Sequence, residues 1–197
     1  MPNNEGASSI IRSTVAFYAA TVGFGLKNLL DLKSADNPTI FPYRWACFAI
    51  VALLAFRFLT GSSGFLATRY ARIDDSGLGK AWIRFSIDIL FLLVLGFLAI
   101  LGAYSANITG FLAWCFWMCA ASLMWTLMAL FSKTDREDCW FFVIPDVLAT
   151  VLLGCAYLAR SATPHLLFNW PPAITLGLLG SLVSVVFELP WQVYRAK

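Results

Sequence analysis

Charge is scarce in this chain: Asp, Glu, Lys and Arg make up 13% of its 197 residues, hydrophobic residues 60%, and there is one histidine. So little polar surface leaves no room for a soluble catalytic domain beside the apolar stretches. The formal charge of +3 is small, and in such a chain its spread among loops bears on orientation rather than on nucleic-acid binding. None of the five cysteines forms a C-x-x-C pair, and all but Cys139 fall in apolar stretches, which excludes a disulfide framework or thiol-redox centre. Met1 to Ser9 is polar and lacks a basic region followed by an apolar core, so no removable signal peptide is expected. Zinc, haem and nucleotide motifs, internal repeats and low-complexity segments are all missing. No cofactor or metal is expected, and without a nucleophile-and-base pair the chain does not read as an enzyme.

What is present is a series of apolar runs of the length a helix needs to cross the roughly 30 Å hydrocarbon layer of a bilayer. They are continuous rather than alternating, and every backbone polar group in lipid needs an internal partner, so helices and not a barrel are expected. Six spans can be drawn: 14–32, 43–60, 82–104, 110–131, 140–159 and 172–194. The fold class is all-α, a six-transmembrane-helix bundle filling residues 1–197 as one integral-membrane domain after an N-terminal tail, 1–13.

Six crossings put both termini on one side. Toward that side fall Arg12, Arg57, Arg69, Arg72, Lys80, Arg84, Lys133, Arg136, Arg195 and Lys197, and toward the other Lys27, Lys33, Arg44 and Arg160. The positive-inside rule then makes both termini cytoplasmic. Trp82, Trp140 and Trp191 would mark the inner boundary and Trp45 and Trp170 the outer, since indole rings favour the headgroup level. The segment 61–81, with Gly-Ser-Ser-Gly at its start and Asp74-Asp75-Ser76-Gly77 within it, reads as the longest connection. Asn107-Ile108-Thr109 matches a glycosylation acceptor but sits in a tight turn at the membrane surface, where the match reads as chance. His165, in the outer loop, reads as a solvated residue.

The first span carries Thr14, Tyr18, Thr21, Gly25 and Asn28 on one helical face, opposite Phe17 and Phe24. Such a face must meet something other than lipid. Either it packs inside the bundle, where small and hydroxylated residues let helices approach, or it lines a water-filled pore with Lys27, Asn28 and Asp31 at the mouth. Cys115, Cys119, Ser122 and Thr126 form a like stripe in the fourth span, read as small-residue packing. Gly177, Ser181, Ser184, Glu188 and Gln192 form another in the sixth.

Depth arithmetic brings out a second feature. Asp88 lies six residues past Trp82 and Asp146 six past Trp140, each roughly 9 Å deep at about 1.5 Å per residue. Glu188 precedes Arg195 by seven and Arg57 precedes Thr60 by three, so four ionisable residues from four spans share one layer. Charges at membrane depth usually face the bundle interior or a water-filled cavity and suggest function by default. The alternative is a buried network in which Arg57 neutralises one acid. An acid left there without a cation is driven toward its protonated form, which a proton or cation relay would use. Pro145, just before Asp146, either frees carbonyls within the fifth span or sits in its first turn.

The order Arg12, Ala16-Phe17, Leu29-Leu30-Asp31-Leu32, Pro42 and Phe56-Arg57-Phe58 resembles the first two helices of the six-helix lysosomal and bacterial potassium channels of the TMEM class. That family has an Arg before a Phe-Ser-Asp motif; Tyr18-Ala19 stands here in place of Ser-Asp. The resemblance implies a homo-oligomer, a tetramer in that family, around a pore lined by the first span, without carrying potassium selectivity over. The function expected is therefore a small oligomeric cation channel lined by Thr14, Tyr18, Thr21, Gly25 and Asn28, with the bilayer and the permeating cation as partners. The alternatives are a proton-coupled or small-solute transporter using Asp88, Asp146 and Glu188, or a membrane effector or scaffold without transport activity.

Overall fold

A computed structural model describes residues 4–70, 78–130, 136–162 and 171–195, with no strand among them. It holds six helices: α1 (Asn4–Asp31), α2 (Arg44–Tyr70), α3 (Leu78–Ala103), α4 (Ile108–Leu130), α5 (Arg136–Ala162) and α6 (Pro171–Arg195), with a single 3-10 turn at Phe41–Tyr43 before α2. Five of these hold stretches long and apolar enough to cross a membrane: Ser9–Asp31, Phe41–Gly61, Ile83–Ala103, Ile108–Leu130 and Phe142–Ala159. In α6 the corresponding described stretch is the shorter Ala173–Val186. The protein is a helical bundle of the integral, multi-pass membrane kind.

The helices outrun the apolar runs at one end of the bundle. α2 continues to Tyr70 and α3 begins at Leu78, so most of the segment expected to be a connection over 61–81 is helix. Hydropathy marks where a chain leaves lipid, whereas Gly-Ser-Ser-Gly lowers helix propensity without breaking an established helix. For the same reason α1 begins at Asn4, inside the stretch expected as a tail. The acidic run at Asp74 and Asp75, and His165, lie outside the described residues.

Side-by-side packing runs α1, α3, α4, α5, α6, and α2 closes the ring against α6, α1 and α3. α1 and α3 run parallel, with Tyr18 level with Gly96 and Gly25 level with Ala99 and Ala103. Lipid is as apolar as leucine, so it does not drive helices together; close fit and hydrogen bonds must. Gly25 and Gly96 supply that fit: a Cβ on Gly25 would stand 3.0 Å from Ala103 Cβ, and one on Gly96 2.9 Å from the Tyr18 ring. Outside the ring, Phe17, Phe24, Phe97, Trp117 and Val151 face outward, as a lipid-facing surface does.

One end of the bundle is tied by asparagines. Asn37, buried, donates through Nδ2 to Ser105 O at 2.9 Å, while its Oδ1 accepts from Thr39 Oγ1 at 2.8 Å and Ile40 N at 3.1 Å. It thus joins the α1–α2 connection to the α3–α4 connection. Asn28 Nδ2 donates to Ala103 O at 3.0 Å, and Arg44, stacked on Phe41, donates to Leu32 O at 3.2 Å. Asn107, of the glycosylation match, caps α4 by accepting from Gly110 N at 2.8 Å.

Candidate functional site

Toward the opposite end, α2, α4 and α5 converge on a buried carboxylate. Asp146 has no exposed surface, and its Oδ1 receives Arg57 Nη2 at 2.6 Å; Arg57 is 3% exposed. The same Oδ1 accepts from Ser122 Oγ at 2.9 Å, and Oδ2 accepts from Thr126 Oγ1 at 2.6 Å. An ionised carboxylate taken out of water needs its lone pairs filled by charge and hydrogen bonds, and here one guanidinium and two hydroxyls fill them.

Helix geometry explains the set. Ser122 and Thr126 are four residues apart, on one face of α4 turned to α5. Arg57 reaches from α2, its guanidinium 5.0 Å from the Phe58 ring centroid. Pro145 sits well inside α5, not in its first turn, and leaves the carbonyl four residues earlier without its helical donor.

Asp88 sits beside this centre on α3. Its Oδ1 accepts the indole Nε1–H of Trp125 at 2.8 Å, and the indole stacks on Phe91 with centroids 6.0 Å apart and planes 4° from parallel. Trp125 is the residue before Thr126, so adjacent positions of α4 hold the two acids of different helices. Thr126 has a second acceptor within reach, Ser122 O at 3.0 Å.

Of the four residues placed in one layer by depth, the structure brings Arg57 and Asp146 into contact and sets Asp88 against Trp125. Glu188 lies on α6, its side chain outside the described ones. The fourth-span stripe is more than the packing surface it was expected to be: Cys115 and Cys119 are buried, Cys119 within electrostatic reach of Arg57 and Asp146, and Ser122 and Thr126 are ligands of the carboxylate. Hydroxyls at i and i+4, level with a buried acid, were the available signal. Trp125 gave none, because a tryptophan in a span reads as bulk.

The first-span stripe lies elsewhere. Thr14, Tyr18 and Gly25 are buried within the single chain, with Tyr18, Thr21 and Gly25 against α3 and Asn28 bonded to it. The hydroxyls of Thr14 and Thr21 turn back to Ile10 O and Tyr18 O, at 2.9 and 2.8 Å. Within the chain, this face meets α3. Among the described residues, Tyr18 OH is buried with no hydrogen-bond partner. In α6, Ser181 and Ser184 are likewise buried and bonded to Gly177 O and Ser181 O.

Among the described residues no group of three or more His, Cys, Asp or Glu side chains is placed to hold a metal ion, and Cys47, Cys115, Cys119 and Cys155 are free thiols. No protein-family model, curated protein or solved structure matches the chain.

Proposed function

We propose that the protein is a proton-coupled or small-solute transporter working within one six-helix bundle, with Asp146 as its working carboxylate and Arg57 as the cation that holds it. The observation that carries this reading is the Arg57–Asp146 pair, buried inside a single chain and ringed by hydroxyls that can give or take a hydrogen bond. A purely structural pair would serve the bundle as well if replaced by apolar residues, whereas the Ser122 and Thr126 hydroxyls, which can donate as well as accept, can partner Asp146 with or without a proton. The oligomeric channel lined by the first span has less support, because that span's polar face is spent on α3.

Proteoliposomes holding the full chain, given a pH gradient and a dye that reports internal pH, test the proposal. The expected result is dye-reported proton movement that Asp146→Asn reduces at least tenfold without loss of folded protein. Equal flux in the folded Asp146→Asn variant, or none in the native protein with any of a panel of small solutes, overturns it. Single-channel current steps of fixed size would return the reading to a channel.

A further inference from the structure

We infer that Trp125 and Thr126 form a coupling pair on α4 that makes Asp88 sense the charge state of Asp146. This rests on Asp146 being the working carboxylate of the proposed transport site, and it assigns a positioning role to two residues that touch no solute.

The argument begins with one hydrogen and two acceptors. Thr126 Oγ1 stands 2.6 Å from Asp146 Oδ2 and 3.0 Å from Ser122 O, yet it has a single proton to donate. While Asp146 is ionised, the charge-assisted bond is the stronger and holds the hydroxyl. When Asp146 loses its charge, the backbone carbonyl of Ser122 competes, and the hydroxyl turns to it. Back-bonding of this kind to the carbonyl four residues earlier bends a helix slightly. Ser122 Oγ gives up its charged acceptor at the same time, one turn away on the same face.

That turn of α4 includes Trp125. Its indole cannot follow freely, since it is stacked on Phe91 and its one donor is committed to Asp88 at 2.8 Å. A small change in the helix at Thr126 therefore changes the length or angle of the Trp125–Asp88 bond. Two acids on α3 and α5 are thereby linked through consecutive residues of the helix between them.

The indole N–H is a direct reporter. In the full chain in lipid nanodiscs, with tryptophan indole nitrogens labelled with 15N, the variant Trp125→Phe assigns the Trp125 resonance by its loss. In Asp146→Asn, the Trp125 resonance is expected to move by several linewidths. Those of Trp45 and Trp117, which face out of the bundle, should stay in place. Thr126→Val keeps the ion pair but removes the rotor, and should move the same resonance; Thr126→Ser should restore its position. A Trp125 resonance unmoved in either folded variant, or a Thr126→Ser spectrum displaced as far as that of Thr126→Val, overturns the coupling. If Asp146→Asn displaces every tryptophan signal, Thr126→Val decides by the same criterion. Absence of flux in the native protein, with the Trp125 shift present, would defeat the transport reading and leave the coupling standing.

Discussion

Arg57 and Tyr18 are both buried polar residues, and removing their polar groups has opposite consequences. Arg57→Ala strands the Asp146 carboxylate without its cation, which costs about 3 to 5 kcal/mol for a truly buried pair. Thermal unfolding in detergent should show a large fall, and Asp146→Asn a smaller one, because an amide can still accept from Ser122 and Arg57. A fall no larger for Arg57→Ala than for Asp146→Asn would mean that water reaches the pair. Tyr18→Phe removes a hydroxyl that already has no partner, so unfolding should be unchanged or shifted upward. A clear loss of stability would reveal a partner for that hydroxyl in the membrane. Residue by residue, depth in the sequence revealed Arg57 and Asp146, since both are charges in apolar runs. It could not reveal which acid the arginine takes, because that depends on which helices are neighbours.

The α1–α3 seam and the face of α4 illustrate what periodicity can and cannot show about an element. Spacing identified Thr14, Tyr18, Thr21, Gly25 and Asn28 as one face, and the structure keeps them on one face; what covers that face is a tertiary fact that one helix does not encode. The bare Cα of Gly25 settles a measurable point. Gly25→Leu would drive a branched side chain into Ala103 Cβ, 3.0 Å from where its Cβ would lie. The seam should open, with a stability loss of about 1 to 3 kcal/mol or more, as overpacking typically costs. A Gly25→Leu protein that unfolds like the native chain, yet conducts nothing, would instead put that face on a pore. α4 was legible as a span and its small residues as a stripe. Its role as the helix holding two acids was not, because a hydroxyl that packs and one that binds a carboxylate look alike in sequence.

Six helices and the membrane-bundle class were legible from run lengths alone, since bilayer thickness sets a length no soluble fold imposes, although only five of the described stretches are long and apolar enough to cross. The ends of the helices were not, because beyond the headgroups nothing in hydropathy stops a helix. The ten-to-four division of Lys and Arg carries the orientation we propose, with both termini in the cytoplasm. Cysteines placed by Ser9→Cys and Ala196→Cys, in a chain with its native cysteines replaced, should react with an impermeant maleimide only after the cell is opened. Labelling of either in intact cells would reverse the orientation.

The seam between α1 and α3 also bears on how the chain is made. A ribosome delivers α1 first, and its polar face then has no α3 to meet: Asn28 lacks the Ala103 carbonyl, and the Gly25 notch is empty. Helices that insert singly and associate afterwards begin in lipid, so α1 must wait in the membrane, or beside the insertion machinery, until two more helices have followed. The Asn37 tie to Ser105 forms no sooner, because its acceptor lies past the end of α3. The first hairpin is therefore an incomplete unit of synthesis. A chain truncated after residue 77 should be held poorly in the membrane and degraded quickly, whereas one truncated after residue 135, with both tied connections present, should persist.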